Sequence, residues 1–183
     1  ASFYLSTTNI EQMQAIISKD ELYNHTSEKV NVIPSITSPL STELIDWCNT
    51  HAAPYFLKPF YEGIENCNML TKNLLIKTKE ELISYEQKHG LDSVIVQQFI
   101  QGGDGYIFDT YGLISNKSNI LIQATHRRLR QFKPNTGTTT FGEIPAKLPE
   151  TDESQLLDAT SQLLETHDYH GIFGIEWLLD KRS

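Results

Sequence analysis

Cysteine is scarce in this sequence. Cys48 and Cys67 are the only two; no Cys-x-x-Cys pair occurs and no His stands at the spacing of a zinc partner. Neither a disulfide framework nor a structural metal site is indicated, and two buried free thiols are expected. No stretch approaches the roughly 18 apolar residues that a membrane span requires, and Ala1-Ser2-Phe3-Tyr4 lacks the basic stretch and apolar run of a secretion signal. A soluble, cytoplasmic protein is the expectation. Cations are outnumbered, with 15 Lys and Arg against 23 Asp and Glu for a net charge of −8. Nucleic-acid backbones and anionic lipids attract a basic face, so broad binding to either is disfavoured. Any anionic ligand must be met by a local cluster of cations. Repeats and low-complexity segments are absent.

What is present suits one ordinary domain or two small lobes sharing a boundary: 183 residues, 39% hydrophobic and 21% charged. Thr8 and Glu11 form a capping box ahead of Ile10, Met13, Ile16 and Ile17 at helical spacing, so a helix starts near Asn9. A second helix fits Thr42 to Thr50 with Ser41 as cap, and a third follows Thr78, boxed by Glu81 and stopped by Gly90. A fourth runs from Asp152 to about His167, capped by Thr151, with Leu156, Leu157, Leu163 and Leu164 as its apolar stripe. Between the helices lie β-rich runs at Tyr55–Lys58, Ser93–Ile100, Tyr106–Ile114, Asn119–Thr125 and Ile172–Leu179. The polar turn Ser115 to Ser118 makes the third and fourth of these an antiparallel hairpin. Helices and strands mix without regular alternation, which predicts an α+β fold. Pro34 to Pro39, rich in Pro, Ser and Thr, is the candidate joint within the chain.

Several residues carry chemistry. Tyr55-Phe56-Leu57-Lys58-Pro59 is an apolar strand ending in a lysine, which either lines a ligand cleft or is a solvated charge. Val94 to Ile100 opens at once into Gln101-Gly102-Gly103-Asp104-Gly105, where free backbone groups suit a flat heterocycle; a core strand and tight turn is the plainer reading. The segment Thr125 to Pro134 holds Arg127, Arg128, Arg130 and Lys133. On a strand Arg128 and Arg130 share one face and Arg127 takes the other; their planar forks suit phosphate or carboxylate oxygens, or else guard a sheet edge. Asn135 to Thr140 reads as a hydroxyl-rich turn that either binds an anion or is a polar loop. Glu176 stands inside the apolar run Gly171-Ile172-Phe173-Gly174-Ile175-Glu176-Trp177, where an ionised group is costly unless paired or bound to a metal.

Taken in order, these pieces resemble the ATP-grasp superfamily, and within it the predicted carboxylate–amine ligases akin to carbamoyl phosphate synthetase. The resemblance runs from about Ile16 to Asp180. It implies two α+β lobes, 1–100 and 101–183, with the nucleotide cleft between them, and it implies ATP and Mg2+ as cofactors. In its terms Lys19, in Ser18-Lys19-Asp20, and Lys58, in Leu-Lys-Pro, resemble the two phosphate lysines. Gln98, Phe99 and Ile100 match the hinge that holds adenine through backbone groups, and Asp104 falls where an acid takes the ribose hydroxyls. Arg128 and Arg130 lie in the stretch that meets the γ-phosphate and the acyl phosphate, and Glu176 resembles the first magnesium-binding glutamate.

The chain departs from the family pattern in two places. The loop Phe60 to Asn68 carries one glycine and two acids where the family has a Gly-rich lid. The family's strand with Glu-Ile-Asn-Pro, and the α/β domain that precedes the grasp, have no counterpart in the sequence, which ends at Asp180-Lys181-Arg182-Ser183. A piece of a longer enzyme, with its C-terminal strand missing and little activity by itself, is therefore the expectation. The implied reaction joins small-molecule carboxylate and amine substrates through an acyl phosphate, releasing ADP and phosphate. Two rivals stand beside it: a non-catalytic ATP-binding module, and an RNA-binding domain using Arg127 to Lys133, which the acidic balance disfavours.

Overall fold

A computed structural model describes residues 10–26, 30–60, 73–115, 119–132 and 138–180. The described residues divide into two compact units, one holding 15–26, 31–60 and 73–100, the other 10–14, 30, 101–115, 119–132 and 138–180. Both mix helix and strand, so the chain is α+β, as the lack of regular alternation predicts.

The first unit is a four-stranded antiparallel sheet with strand order β1-β4-β2-β3, formed by β1 (Ser35–Thr37), β2 (Tyr55–Pro59), β3 (Leu74–Ile76) and β4 (Val94–Gln98). Strand β2 alternates as a half-covered strand must: Tyr55, Leu57 and Pro59 are buried, Phe56 and Lys58 only partly. Its buried face packs with Val94, Val96 and Ile76 against Leu44 and Cys48 of α3 (Ser41–Thr50) and Leu82 of α4 (Lys79–His89). Burying each such side chain contributes about 1.5–3 kcal/mol, and Tyr55 is tolerated inside because its hydroxyl donates to the His51 carbonyl at 2.9 Å. Cys48 is a buried free thiol; Cys67 lies outside the described residues.

The caps differ from the sequence-based expectation in instructive ways. Helix α3 begins one residue early, with Leu40 at the N-cap, because the Glu43 carboxylate accepts from the Leu40 amide at 2.8 Å; the Ser41 hydroxyl donates instead to Glu86. At α4 the Thr78 hydroxyl accepts from the Glu81 amide as a cap should, while the Glu81 carboxylate reaches the Lys77 amide rather than that of Thr78. Gly90 ends α4 at φ 72°, a conformation that side-chain-bearing residues resist. The supposed joint at Pro34–Pro39 holds β1, an edge strand too short to show periodicity. The opening helix is really two, α1 (Ile10–Ile17) and α2 (Lys19–Thr26), parted at Ser18; Thr8 lies outside the described residues.

The second unit is an antiparallel sheet ordered β7-β6-β5-β8, made of β5 (Ile107–Ile114), β6 (Ile120–Gln131), β7 (Thr139–Glu143) and β8 (Gly171–Leu178). Strands β5 and β6 form the expected hairpin, closed by the Ser115 amide on the Asn119 carbonyl at 2.9 Å; residues 116–118 lie outside the description. Helix α5 (Glu150–Thr166) covers one face. Pro149 is its N-cap, so Thr151 sits inside the first turn rather than capping it, and Glu150, Asp152 and Glu153 meet the positive end of the helix dipole. Polar contacts join helix and sheet: Thr110 to Thr160 at 3.0 Å, Thr125 to Glu153 at 2.8 Å, with the Trp177 indole donating to Thr110 at 3.1 Å. The hydroxyl-rich stretch after Lys133 ends in β7, because Thr139 to Glu143 pair with the continued β6; 133–137 are not described.

Candidate functional site

Neighbouring strand residues point to opposite faces, so if Thr110 and Trp177 serve the face under α5, Asp109 and Glu176 serve the other. In register, Asp109 stands opposite His126 on β6 and opposite Glu176 on β8, which puts His126, Asp109 and Glu176 in one row across three strands. Arg128, two residues along β6 from His126, reaches into this row. Its Nε donates to Asp109 Oδ2 at 2.9 Å, and its Nη2 lies 2.5 Å from Asp109 Oδ1 and 2.6 Å from Glu176 Oε2. His126 Nδ1 completes the set at 2.8 Å from Asp109 Oδ2. An ionised carboxylate only accepts, so that nitrogen carries the proton.

Exposure separates the two acids. The side chain of Asp109 is 4% exposed and that of Glu176 51%, so the Asp109 contact is dry and stiff while the Glu176 contact is screened and easily exchanged. The hydrogen bonds to Asp109 hold the Arg128 guanidinium above its already high ordinary value; burial opposes that rise and the charge of Glu176 adds to it. Burial, and then the charge of Asp109, likewise pushes up the Tyr111 phenol.

The structure separates the arginines that the sequence groups together. A bulge between Arg128 and Arg130 breaks the alternation of β6, so the two do not share one face as a regular strand would have them. Arg130 is exposed and its Nε reaches the Thr140 hydroxyl at 3.3 Å. Arg127 is a clamp: its Nε donates to the Gly105 carbonyl at 2.9 Å and its guanidinium lies 5.9 Å from the centre of the Phe108 ring. Asp104 accepts from both the amide and the side-chain nitrogen of Gln131, at 3.1 and 3.0 Å. Asp109 and His126 are absent from the residues the sequence singles out. Yet Ile107-Phe108-Asp109-Thr110-Tyr111 shows the same signal as the Glu176 run, an acid inside an apolar strand.

In the first unit the Lys19 amide donates to the Phe60 carbonyl at 3.2 Å, tying the start of α2 to the end of the strand that carries Lys58. The Lys58 ammonium lies 5.3 Å from the centre of the Phe56 ring. At the hinge, Gln98 donates from its amide to Pro34 and from its side chain to Ala52, and the Phe99 amide donates to Pro54 at 2.9 Å. Phe99 can therefore offer a ligand its carbonyl but not its N–H. Ile100 is the half-buried last residue of this unit.

Gln97 tests whether this sheet suits a nucleotide. It is 1% exposed, yet neither side-chain amide atom has a partner among the described residues. It shares with Phe56 and Lys58 the face turned from the helical core. A cation, an aromatic ring and an unpaired amide on one face match a heterocycle that carries phosphate. For magnesium, no group of three or more His, Cys, Asp or Glu among the described residues could hold an ion. Glu176 fits only as one carboxylate beside phosphate oxygens. No helix among the described residues is long and apolar enough to cross a membrane.

No protein-family model matches the sequence, and no curated protein does. Solved structures do match. The biotin carboxylase of Campylobacter jejuni, in a complex with β,γ-ATP, superimposes with TM-score 0.75 at 16% identity, over 97% of this chain and 40% of its own. The biotin carboxylase domain of the 2-oxoglutarate carboxylase of Hydrogenobacter thermophilus, solved with MgADP, ADP and bicarbonate, gives 0.73 at 11% identity over 97% and 40%. D-alanine–D-alanine ligase from Bacillus anthracis, complexed with ATP, gives 0.67 at 14% over 96% and 53%. The chain thus spans about half or less of the length of these enzymes. Over almost all of its length the chain has the fold that these three enzymes share, the ATP-grasp fold.

Proposed function

We propose that this chain is the nucleotide-binding part of an ATP-dependent ligase that joins a carboxylate to an amine. The observation that carries the reading is the Arg128 fork, held by buried Asp109 and shared with exposed Glu176 on the sheet face that α5 leaves open. A cation fixed beside an exchangeable carboxylate is the arrangement a transferring phosphoryl group needs.

A carboxylate resists amines because resonance spreads its charge and oxide is a poor leaving group. In the proposed reaction the acid's oxygen attacks the γ-phosphorus and the bond to ADP breaks. The amine then attacks the acyl carbon, its proton is lost, and phosphate departs. Lys19 and Lys58 neutralise phosphate oxygens, and the Gln98–Ile100 backbone holds the adenine edge. Asp104, which also accepts from Gln131, takes the ribose hydroxyls. Arg128 meets the transferred phosphoryl group, whereas Arg130, beyond the bulge and off that face, takes no part in it. Bound beside Glu176, Mg2+ would supply charge neutralisation at the phosphates.

Assaying ADP release by the protein expressed from its whole gene, against a panel of carboxylates and amines, tests the reading. Release that requires both an acid and an amine supports the ligase. ATP binding with no release under any pairing would make it a non-catalytic ATP-binding module, and absence of ATP binding would remove both.

A further inference from the structure

The row on β6, β5 and β8 contains a carboxylate to which the proposed chemistry gives no direct part. Asp109 is buried in the middle of β5, where an unpaired charge would cost several kcal/mol. Two cross-strand neighbours resolve that cost: the Arg128 fork through Nε and Nη2, and the His126 imidazole through Nδ1. A guanidinium has five N–H donors along its edges. Asp109 occupies the Nε–Nη2 edge and Glu176 takes Nη2 as well, while the hydrogen bonds of Arg128 among the described residues do not involve Nη1. The two acids that hold Arg128 differ in permanence, since Asp109 is nearly inaccessible and Glu176 half exposed. Glu176 is the one a metal or a competing cation can draw away; Asp109 is not.

We infer that Asp109 is a positioning residue for the transferred phosphoryl group, anchoring one edge of Arg128 so that the Nη1 side faces the γ-phosphate even when Glu176 is engaged elsewhere. This rests on the ATP reading above. His126 acts in the same arrangement. Its Nδ1 donates to Asp109, and its Nε2 edge lies against the backbone of Gly142, where an added Cβ would overlap it. The close backbone on that side limits how far the imidazole can turn from Asp109. Arg128 works through its planar fork in this arrangement, and charge alone does not suffice.

The test uses the protein expressed from its whole gene and compares MgATP and MgADP affinities by calorimetry for the wild type, Asp109→Asn, Arg128→Ala, Arg128→Lys and the Asp109→Asn/Arg128→Ala double variant. ADP lacks the γ-phosphate, so its affinity serves as the internal control. Asp109→Asn should leave ADP affinity within about twofold and lower the ATP-to-ADP affinity ratio about tenfold, the scale of one charge-assisted contact. It should add nothing further in the Arg128→Ala background. Arg128→Lys keeps the charge but not the fork, and should lose most of the ratio; this holds the inference to account if Asp109→Asn does not fold. The inference is overturned by a wild-type ratio in Asp109→Asn or in Arg128→Lys, or by an equal loss of both nucleotides in Asp109→Asn, which would make Asp109 merely structural. If the wild-type protein expressed from its whole gene binds neither nucleotide, the ATP reading falls and the inference with it, an outcome plainly different from the other three.

Discussion

Gln97 stands directly opposite Phe56 across β4 and β2, and its buried amide has no partner among the described residues. A buried amide left unpaired costs about 1–3 kcal/mol. Proteins keep such a group where something other than stability is served.

Replacing it with an unbranched apolar side chain of similar length should therefore stabilise the unliganded protein. Gln97→Met is expected to raise the thermal midpoint by about 2–4 °C, the shift that about 1 kcal/mol produces in a domain of this size. The added stabilisation that MgATP gives should shrink in the same variant. A lower midpoint in Gln97→Met without nucleotide would show that the amide is satisfied after all.

The close approach of β7 to His126 gives a second expectation. A Cβ at Gly142 would overlap His126 Nε2 and stand 2.7 Å from the Arg127 carbonyl. Gly142→Ala should cost about 1–3 kcal/mol in urea denaturation, the range for overpacking. Adding His126→Ala should recover part of that loss, since one of the two collisions disappears. Strict additivity of the two substitutions would mean that they do not touch.

Alkaline pH should weaken the first unit through Tyr55. Burial, and then the neighbouring Cys48, pushes its phenol well above the ordinary tyrosine value. The folded state thus holds the proton more tightly than the unfolded chain does. The contribution to stability is fully present below the unfolded value of about 10 and is lost as pH rises through the folded value. Chemical denaturation should show stability falling above about pH 10, and Tyr55→Phe should flatten that fall while losing the hydrogen bond to His51. An equally steep fall in Tyr55→Phe would assign it to other groups.

The hinge yields a contrast between two positions. The Gln98 side chain makes one long contact, 3.3 Å to the Ala52 carbonyl, so Gln98→Ala should change nucleotide affinity little. Ile100→Pro removes an amide donor that a side-chain change cannot replace and should abolish binding. Circular dichroism confirms folding, and normal ATP affinity in a folded Ile100→Pro protein would move the hinge elsewhere.

Long-period patterns were legible in the residues themselves. The Leu156, Leu157, Leu163 and Leu164 stripe marks α5, and the apolar runs of β2, β4, β5 and β8 announce strands, because each element's own side chains make its buried face. Strands β1, β3 and β7 lack that property. Ser35–Thr37 and Leu74–Ile76 are three residues each and exist because a distant strand offers an edge to pair with. The site divides in the same way. Glu176 stands out as an acid among apolar neighbours, and Arg128 as a cation in an acidic chain. That Asp109 holds Arg128 while Arg130 lies beyond a bulge depends on register, which no local pattern encodes.

That the protein binds ATP, with Lys58 on a phosphate, is tested most directly by calorimetric titration of MgATP into the protein expressed from its whole gene, wild type beside Lys58→Ala. The expected result is saturable binding by the wild type and affinity weaker by about tenfold or more in the variant, matching the loss of one charge-assisted phosphate contact of about 1.5–3 kcal/mol. Equal affinity in the two proteins would contradict the role of Lys58, and a wild type that binds no ATP would contradict the function itself.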